Sequence, residues 1–313
     1  MKVQNAKRLI SSIFKAGCAN LFLLFCLFLF GCMEHHPIQF GVVADVQYTD
    51  KPTAGSRHYA ASLPALERCV ADFNQDGPVF VIQLGDLIDG GPHAATELQT
   101  IAAVYNQLEM PHYHVLGNHD FGEIDRTTTM DTLGLQRGYY RFDVQEWRFI
   151  VLDTQDIALQ GGWPVDSSHY QAALTMLNKL KATGAPNAMD WNGGLSDEQL
   201  DWLEAELTDA DLQNKRAIVF GHLPLMPADD PHAAWNGPEI VAILEKYHAV
   251  KAYICGHNHK GDYALHNGIH YVTLEAMVDA ADKDGAWAIV TLSDNTISIE
   301  GVGAVTSRFL LLR

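Results

Sequence analysis

The sequence predicts an α/β domain, with mainly parallel strand pairing in its first half and an antiparallel portion near its C-terminus. From Ile38 onward, short apolar segments rich in Val and Ile alternate with helical patterns, which is typical of sheets covered on both faces. Toward the C-terminus, strand-like segments follow one another without helices between them, which favours antiparallel pairing. Because no repeat, low-complexity tract or linker interrupts residues 38–313, we expect one domain there.

The individual elements follow from the same patterns. The predicted strands cover residues 39–44, 79–84, 113–116, 148–152, 217–220, 252–255, 270–274, 286–292 and 296–300. The predicted helices cover residues 59–73, 94–107, 170–181, 197–207 and 238–247. Ser196 and Gln199 have the spacing of a capping box. Residues 122–138 and 155–192 are expected to be long insertions, where substrate-shaping loops are often found.

Residues 1–31 have the pattern of a secretory signal. Four basic residues come first: Lys2, Lys7, Arg8 and Lys15. An apolar run over residues 21–30 follows, which is too short to span a membrane comfortably. Gly31 and Cys32 resemble a bacterial lipobox, in which Cys32 is lipidated and becomes the new N-terminus. We therefore expect an exported lipoprotein at the periplasmic or outer face of the cell envelope, tethered through residues 32–37; an uncleaved anchor is the alternative.

The charge of the chain excludes one class of partner. The formal net charge is −17, and without residues 1–31 it is −21, because 17 basic residues then face 38 acidic ones. Such a surface repels nucleic acid, so we expect a small-molecule substrate and no nucleic-acid partner. Cys69 and Cys255 are expected to be buried thiols rather than a disulfide. A monomer is the expected state.

Metal-binding side chains follow five of the predicted strands, at the point where each strand ends. They occur in the segments ADVQY, GDLIDG, GNHD, GHLP and GHNH, and are Asp45, Gln47, Asp86, Asn118, His222, His257 and His259. One such residue is usually a turn residue or a cap, but five equivalent strand ends favour a common site. The carboxyl ends of strands in open α/β sheets meet in one crevice. Glycines before four of the motifs allow the backbone to turn close to bound ions.

The types of ligand indicate the kind of ion. Oxygen and imidazole ligands without a thiolate suit Mn²⁺, Fe²⁺ or Zn²⁺. Seven groups are enough for two ions that share one carboxylate, and too many for one four-coordinate ion. Two cations about 3.5–4 Å apart can clamp the attacking and leaving oxygens of a phosphoryl displacement. Such ions would also let a very acidic protein hold an anionic substrate.

The motifs D-x-(H/Q), GD-x-x-D/G, GNH(D/E), GH and GH-x-H, in this order, resemble the calcineurin-like metallophosphoesterase superfamily. More narrowly, the segments ADVQY, LGDLIDG, WNGGLSDEQLDWL, HLPLMPADD with AWN, and YVTLEAMVDA are similar to those of Mn²⁺-dependent ADP-ribose/CDP-alcohol diphosphatases. The resemblance extends from about Ile38 to Val302. It implies a β-sandwich of two mixed sheets flanked by helices (α/β/β/α), with the metal site at the C-terminal ends of the strands.

The resemblance also implies a role for each ligand. The first ion would be held by Asp45, Gln47, Asp86 and His259. The second would share Asp86 and be completed by Asn118, His222 and His257. Gln47 stands where most superfamily members have His, and its carbonyl oxygen should favour Mn²⁺ over Zn²⁺. Alternatively, Gln47 only forms a hydrogen bond to one of the ligands.

The same resemblance assigns two catalytic residues. Water activated between the ions would attack phosphorus, so no side-chain nucleophile is needed. His119 would lie near the leaving oxygen, as a general acid or as a cation, and Asp120 would orient the His119 imidazole. A structural turn histidine is the alternative for His119.

For the substrate, the resemblance implies a nucleoside diphosphate joined to an alcohol or a sugar, cleaved at the pyrophosphate bond to release a nucleoside monophosphate. Loop residues expected to contact it are Arg57, His58, Tyr59, Asn192, His232, Trp235 and Asn236, although loop packing explains each of them equally well. A phosphomonoesterase or cyclic-nucleotide phosphodiesterase on the same frame is the alternative. A catalytically inactive binding lipoprotein is disfavoured by the intact ligands in every motif.

Overall fold

The computed structural model describes residues 37–312, which form two six-stranded β-sheets with flanking helices. The predicted leader, Cys32 and most of the tether therefore lie outside the described residues. In the first sheet, the strand order is β14-β13-β12-β1-β2-β3. These strands are β1 Ile38–Val43, β2 Phe80–Gln83, β3 His112–His114, β12 Ala286–Leu292, β13 Thr296–Gly303 and β14 Arg308–Leu311.

The second sheet has the strand order β10-β11-β9-β8-β5-β4. Its strands are β4 Tyr140–Val144, β5 Trp147–Val151, β8 Arg216–Phe220, β9 Val250–Cys255, β10 Lys260–His266 and β11 Ile269–Glu275. A small two-stranded sheet pairs β6 Ile157–Ala158 with β7 Gly193–Gly194. Pairing is parallel from β1 to β3 and from β5 through β8 and β9 to β11. It is antiparallel between β1 and β12 and on to β14, which confirms the predicted change of pairing.

The helices are α1 Ser62–Asp76, α2 Ala94–Tyr105, α3 Arg126–Thr132, α4 Ser168–Thr183, α5 Asp197–Leu212 and α6 Gly237–Leu244. Short 3₁₀ helices cover Tyr59–Ala61 and His119–Phe121. The Ser196 side chain caps α5 by accepting from Gln199 N, but the Gln199 side chain does not close the predicted capping box. Instead it donates to Asp156 Oδ2, which also accepts from Ser196 N.

The two predicted insertions contain more regular structure than expected. Residues 122–138 include α3, whose first turn is capped by Asp125 accepting from Thr128 N, and residues 155–192 include β6 and α4. The strands β4, β10 and β14 were not predicted. They are edge strands with partly exposed side chains, so their sequences lack the continuous apolar runs of central strands.

Aromatic side chains fill the space between the two sheets. Phe40 of β1 stacks on Phe80 of β2, with ring centroids 4.9 Å apart, and meets Phe149 and Phe220 of the second sheet edge-on at 5.8 Å. All four rings are buried, and such edge-on pairs add to the stability gained from burial. Cys69 and Cys255 are buried, free thiols, as predicted. Among the described residues, no helix is both long and apolar enough to cross a membrane.

Candidate metal centre

The five predicted strand ends converge on one cleft, as the sequence predicted. Three of them, after β1, β2 and β3, belong to the first sheet, and two, after β8 and β9, belong to the second, so the site joins the edges of both sheets. The side chains that converge are Asp45, Gln47, Asp86, Asn118, His222, His257 and His259. The first six are buried, and the His259 side chain is 12% exposed.

The first group of these side chains lies around the Gln47 amide. Gln47 Nε2 is 3.1 Å from Asp86 Oδ2 and 3.2 Å from His259 Nε2. His259 Nε2 is 3.7 Å from Asp45 Oδ1. These are the spacings that atoms around a single cation would have. The group contains the four residues expected at the first ion.

The second group lies around the His222 imidazole. His222 Nε2 is 3.3 Å from both Asp86 Oδ2 and Asn118 Oδ1, and 3.2 Å from His257 Nδ1. Ligand atoms of Asp86, His222 and His257 all lie within 4.8 Å of one another. Asp86 Oδ2 contacts members of both groups, as the carboxylate shared by two ions would.

The three histidines are held so that one ring nitrogen of each faces inward. His222 Nδ1 lies 2.7 Å from Leu84 O, and His259 Nδ1 lies 3.1 Å from Asp279 Oδ2. His257 Nε2 lies 3.0 Å from Asn192 Oδ1. Because these acceptors each take a ring N–H, the opposite nitrogens face the cleft and are the ones that can coordinate a cation, which is the usual support for metal-bound histidine.

Gln47 supplies a further test of whether cations fit. Its Oε1 atom is buried and has no hydrogen-bond partner among the described residues, which is costly for a polar atom. A half-turn of the amide exchanges Oε1 with Nε2 and places the oxygen beside Asp86 and His259. Coordination of a cation there would satisfy this oxygen, so the donor set fits divalent ions and fits Gln47 as a ligand.

The backbone is strained at the same positions. Asp45, Gln47, Asp86 and His257 have φ angles of 52°, 43°, 57° and 68°, in the left-handed region that non-glycine residues rarely adopt. They are four of the seven non-glycine residues with positive φ in the described part of the chain. Such strain concentrates at functional sites, where surrounding structure enforces it.

Glycines make room for the carboxylates. A Cβ atom at Gly117 would overlap Asp86 Oδ1, and one at Gly256 would overlap Asp45 Oδ2. Since any larger residue would displace a candidate ligand, the glycines that precede these motifs are required by close packing as well as by turning of the backbone.

The charges in the centre influence one another. Burial raises the pKa of Asp45. Although burial acts in the opposite direction, the charge of His222 lowers the pKa of Asp86 far below its usual range. Reciprocally, Asp86 raises the pKa of His222 to about 9 against the effect of burial. Without a cation, His222 therefore holds a proton beside an ionised carboxylate, in the position that a cation would take.

Asp120 does not orient His119, and the prediction that it would is wrong. The Asp120 carboxylate accepts from three backbone N–H groups, those of Asp86, Leu87 and Gly117, at 2.7–3.0 Å. His119 Nδ1 lies instead 2.8 Å from Asp89 O and 3.5 Å from Asp89 Oδ1. Burial and the charge of Asp86 raise the pKa of Asp120 to about 7. Asp120 thus fixes the backbone that carries Asp86.

The cleft above the centre has a volume of about 800 Å³, which is large enough for a nucleotide conjugate. Arg57, His119, His232 and Lys260 line it, together with Trp191, whose side chain is 40% exposed. Of the predicted substrate residues, Arg57 and His232 therefore face the cleft. Below, this volume is called the catalytic cleft.

The other predicted substrate residues have structural contacts and do not line the catalytic cleft. Asn192 is fully buried, and its Nδ2 donates to Asn187 O and Pro231 O. Trp235 is buried and donates to Met189 O, while Asn236 bonds both backbone groups of Leu195. The structure thus places these three residues away from the wall of the cleft, and their contact with substrate stays a prediction.

Tyr59 and His58 also differ from the prediction. Tyr59 is buried in a small cluster with Ala276 and Val278. His58 Nε2 lies 3.3 Å from Asp282 Oδ1. Both residues support the loop that carries Arg57 and do not face the cleft.

Asp89 and Asp279 were missed as supports of the two histidines they contact. Both lie inside segments noted for their resemblance, GDLIDG and YVTLEAMVDA, so the motifs could have indicated them. Their partners could not be inferred from sequence, because Asp279 meets His259 only through tertiary packing.

Comparison with known proteins agrees with the fold. A sequence model of the calcineurin-like phosphoesterase family matches residues 38–261. The manganese-dependent ADP-ribose/CDP-alcohol diphosphatase of Arabidopsis thaliana is 33% identical over 306 residues, covering 88% of this chain and 98% of the relative. The human protein of the same name is 29% identical, covering 87% of this chain and 92% of the relative.

A solved structure shows the same architecture. The crystal structure of a dimetal phosphatase from Danio rerio superposes with a TM-score of 0.81 at 27% identity, covering 89% of this chain and all of that one. The fold and these relatives identify a metal-dependent hydrolase of phosphoric esters or diphosphates. The chain belongs to the calcineurin-like phosphoesterase family.

Proposed function

We propose that the protein hydrolyses the pyrophosphate bond of nucleoside diphosphates linked to an alcohol or a sugar, such as CDP-alcohols or ADP-ribose. The products are a nucleoside monophosphate and a phosphorylated alcohol or sugar. The observation that carries this proposal is the pair of ligand groups that share Asp86 Oδ2 beneath a cleft large enough for both halves of such a substrate. Relatives named for this activity support it.

Two divalent cations, Mn²⁺ by the names of the relatives, would supply Lewis-acid polarisation of the phosphate and activation of water when bound. Asp45, Gln47, Asp86 and His259 would hold one ion, and Asp86, Asn118, His222 and His257 the other. Leu84 O, Asn192 and Asp279 keep the three imidazoles in the tautomers that bind metal.

The residues above the centre handle the substrate. Arg57 and Lys260 bring positive charge to the wall of the catalytic cleft, where it can help to neutralise the phosphates of the substrate. His119, oriented by Asp89, presents Nε2 as the proton donor to the leaving oxygen. Trp191 offers an exposed aromatic surface on which the nucleoside can stack.

A substrate panel tests the proposal. Protein lacking residues 1–31, supplied with Mn²⁺, should release CMP from CDP-choline or AMP from ADP-ribose, identified by chromatography. Faster turnover of p-nitrophenyl phosphate or cyclic AMP than of every pyrophosphate would favour the phosphomonoesterase or cyclic-nucleotide phosphodiesterase alternative. Absence of turnover on all these compounds would favour the inactive binding lipoprotein.

Export and lipid anchoring belong to the same proposal. The leader pattern and Cys32 support a lipoprotein held at the cell envelope. In a bacterial host, the full chain should incorporate radiolabelled palmitate and partition with membranes, and Cys32→Ser should abolish the labelling. Labelling that persists in Cys32→Ser would contradict the anchor.

A further inference from the structure

A second cavity adjoins the catalytic cleft on the other side of His119. It has a volume of about 590 Å³ and shares Asn118, His119 and Gln160 with the catalytic cleft. Most of its remaining wall comes from the two predicted insertions, through Gly122, Glu123 and Ile124 of the first and Leu159, Gly162 and Trp163 of the second, and Asp89 and Phe121 complete it. We call it the insertion lobe. Of the residues that line the insertion lobe, only His119, Asn118 and Asp89 have a role in the function proposed above.

The insertion lobe is a preformed cavity, because Arg126 links its two walls. Arg126 Nη1 donates to Gly161 O at 2.8 Å, and its guanidinium lies over the rings of Phe121 and Trp163, at 4.9 and 4.4 Å from their centroids. Its charge is compensated by an ion pair with Asp153. Buried contacts of this kind hold a binding surface in place before ligand arrives.

The chemistry of the walls indicates the ligand. Phe121, Ile124 and Leu159 provide an apolar surface. Glu123 is exposed on the same wall and forms no hydrogen bond or ion pair with any described residue. Asp89, the other acid in the lobe, already pairs with Lys51 at 2.9 Å. The uncompensated charge in the lobe is therefore negative and lies beside apolar groups, an arrangement that suits an alkylated ammonium group.

The position of His119 indicates which half of the substrate lies there. A proton donor stands next to the leaving oxygen, so the leaving half extends into the space beyond it. The exposed Trp191, suited to the nucleoside, lines the catalytic cleft and not the insertion lobe. On this argument the retained nucleoside phosphate lies in the catalytic cleft and the leaving alcohol phosphate extends into the insertion lobe, with His119 and Gln160 between them.

We propose that the insertion lobe binds the alcohol of the leaving half, and that Glu123 makes it favour a cationic alcohol such as choline over a neutral one. This inference rests on the proposed function. It assigns a substrate preference to a residue that touches neither the metal ligands nor the reacting atoms.

Steady-state kinetics of Glu123→Gln on CDP-choline and CDP-glycerol test the preference. Because an exposed ion pair contributes little, kcat/KM for CDP-choline should fall about two- to fivefold, with a larger fall in Glu123→Lys, while CDP-glycerol should change less than twofold. Glu109→Gln removes the same charge from an exposed position and should change neither substrate. Equal effects on both substrates would overturn the role of Glu123.

Product binding tests which half lies where. In Mn²⁺-loaded protein, calorimetry should show weaker phosphocholine binding after Leu159→Trp, which fills the lobe, with CMP binding unchanged. Weakened CMP binding with unchanged phosphocholine binding would show that the halves are reversed and would overturn the inference. If the wild-type protein cleaves no pyrophosphate, both the proposed function and the lobe assignment are overturned. If the wild-type protein cleaves a pyrophosphate but Leu159→Trp binds phosphocholine as tightly as wild type, only the lobe assignment is overturned.

Discussion

His119 Nδ1 lies 2.8 Å from the carbonyl oxygen of Asp89, and the Asp89 carboxylate lies 3.5 Å from the same nitrogen. The backbone and side chain of one residue therefore fix the orientation of the imidazole, whose Nε2 remains available in the cleft. Asp89 is itself held by Lys51 at 2.9 Å. This arrangement gives His119 the support expected of a proton donor.

His119→Ala should lower kcat for CDP-choline by about 10²–10⁴-fold, the usual contribution of a general acid. The effect should be much smaller for the p-nitrophenyl ester of thymidine monophosphate, because its leaving oxygen needs no proton. Comparing kcat for the two substrates checks the role. An equal loss on both would show that His119 acts on binding or on the metal centre instead.

Asp120→Asn should destabilise the metal-free protein by about 1–3 kcal/mol, because an amide cannot accept from all three backbone N–H groups that Asp120 now receives. Thermal unfolding with chelator present measures this loss. Metal affinity should fall as well, since Asp120 fixes the backbone of Asp86. Both losses should also appear when Asp120→Asn is introduced into the His119→Ala variant. If Asp120→Asn changes neither stability nor metal affinity in that variant, Asp120 acts through His119 after all.

Asp86→Asn should reduce turnover by at least about 100-fold, because the shared oxygen loses its charge. Metal content after dialysis, measured by mass spectrometry, should fall together with activity, and circular dichroism should remain that of the folded protein. Asp76→Asn, at the exposed end of α1, removes the same charge outside the candidate ligand set and serves as the control. Full metal content in Asp86→Asn would contradict the proposal that Asp86 is shared by two ions.

Gln47→His should raise activity with Zn²⁺ relative to Mn²⁺, because imidazole is a softer ligand than an amide oxygen. Initial rates across a series of metal concentrations give the ratio. Gln107→His, at an exposed position, should leave it unchanged. An unaltered ratio in Gln47→His would mean that Gln47 only hydrogen-bonds a ligand.

Metal binding should release protons. The pKa of His222 is raised to about 9 in the metal-free centre, so near neutral pH this imidazole must lose a proton before it can bind a cation. Metal affinity should therefore fall as pH decreases below 9, and calorimetry in buffers of different ionisation enthalpy should show release of about one proton that disappears above that pH. Binding without proton release would place His222 outside the ligand set.

The strand ends could be predicted because a buried strand and its polar terminus are both encoded locally. The apolar run over residues 38–44 stops at Asp45. Because both faces of the sheet are buried, this run can only be a central strand, and Asp45 then marks its end. The partners of the histidines could not be predicted, since Asn192 meets His257 across 65 residues of sequence. Asp120 was misassigned for a physical reason. It follows His119 in a 3₁₀ turn, where successive side chains point in different directions.

The aromatic layer between the sheets has a consequence for the metal centre. Asp45, Asp86 and Asn118 stand on one sheet while His222 and His257 stand on the other, so the distance between these two sets of candidate ligands depends on how closely Phe40 and Phe80 pack against Phe149 and Phe220. Trimming one of those rings would let the layers shift. The packing of the hydrophobic interior thereby controls the position of polar side chains at the edges of both sheets.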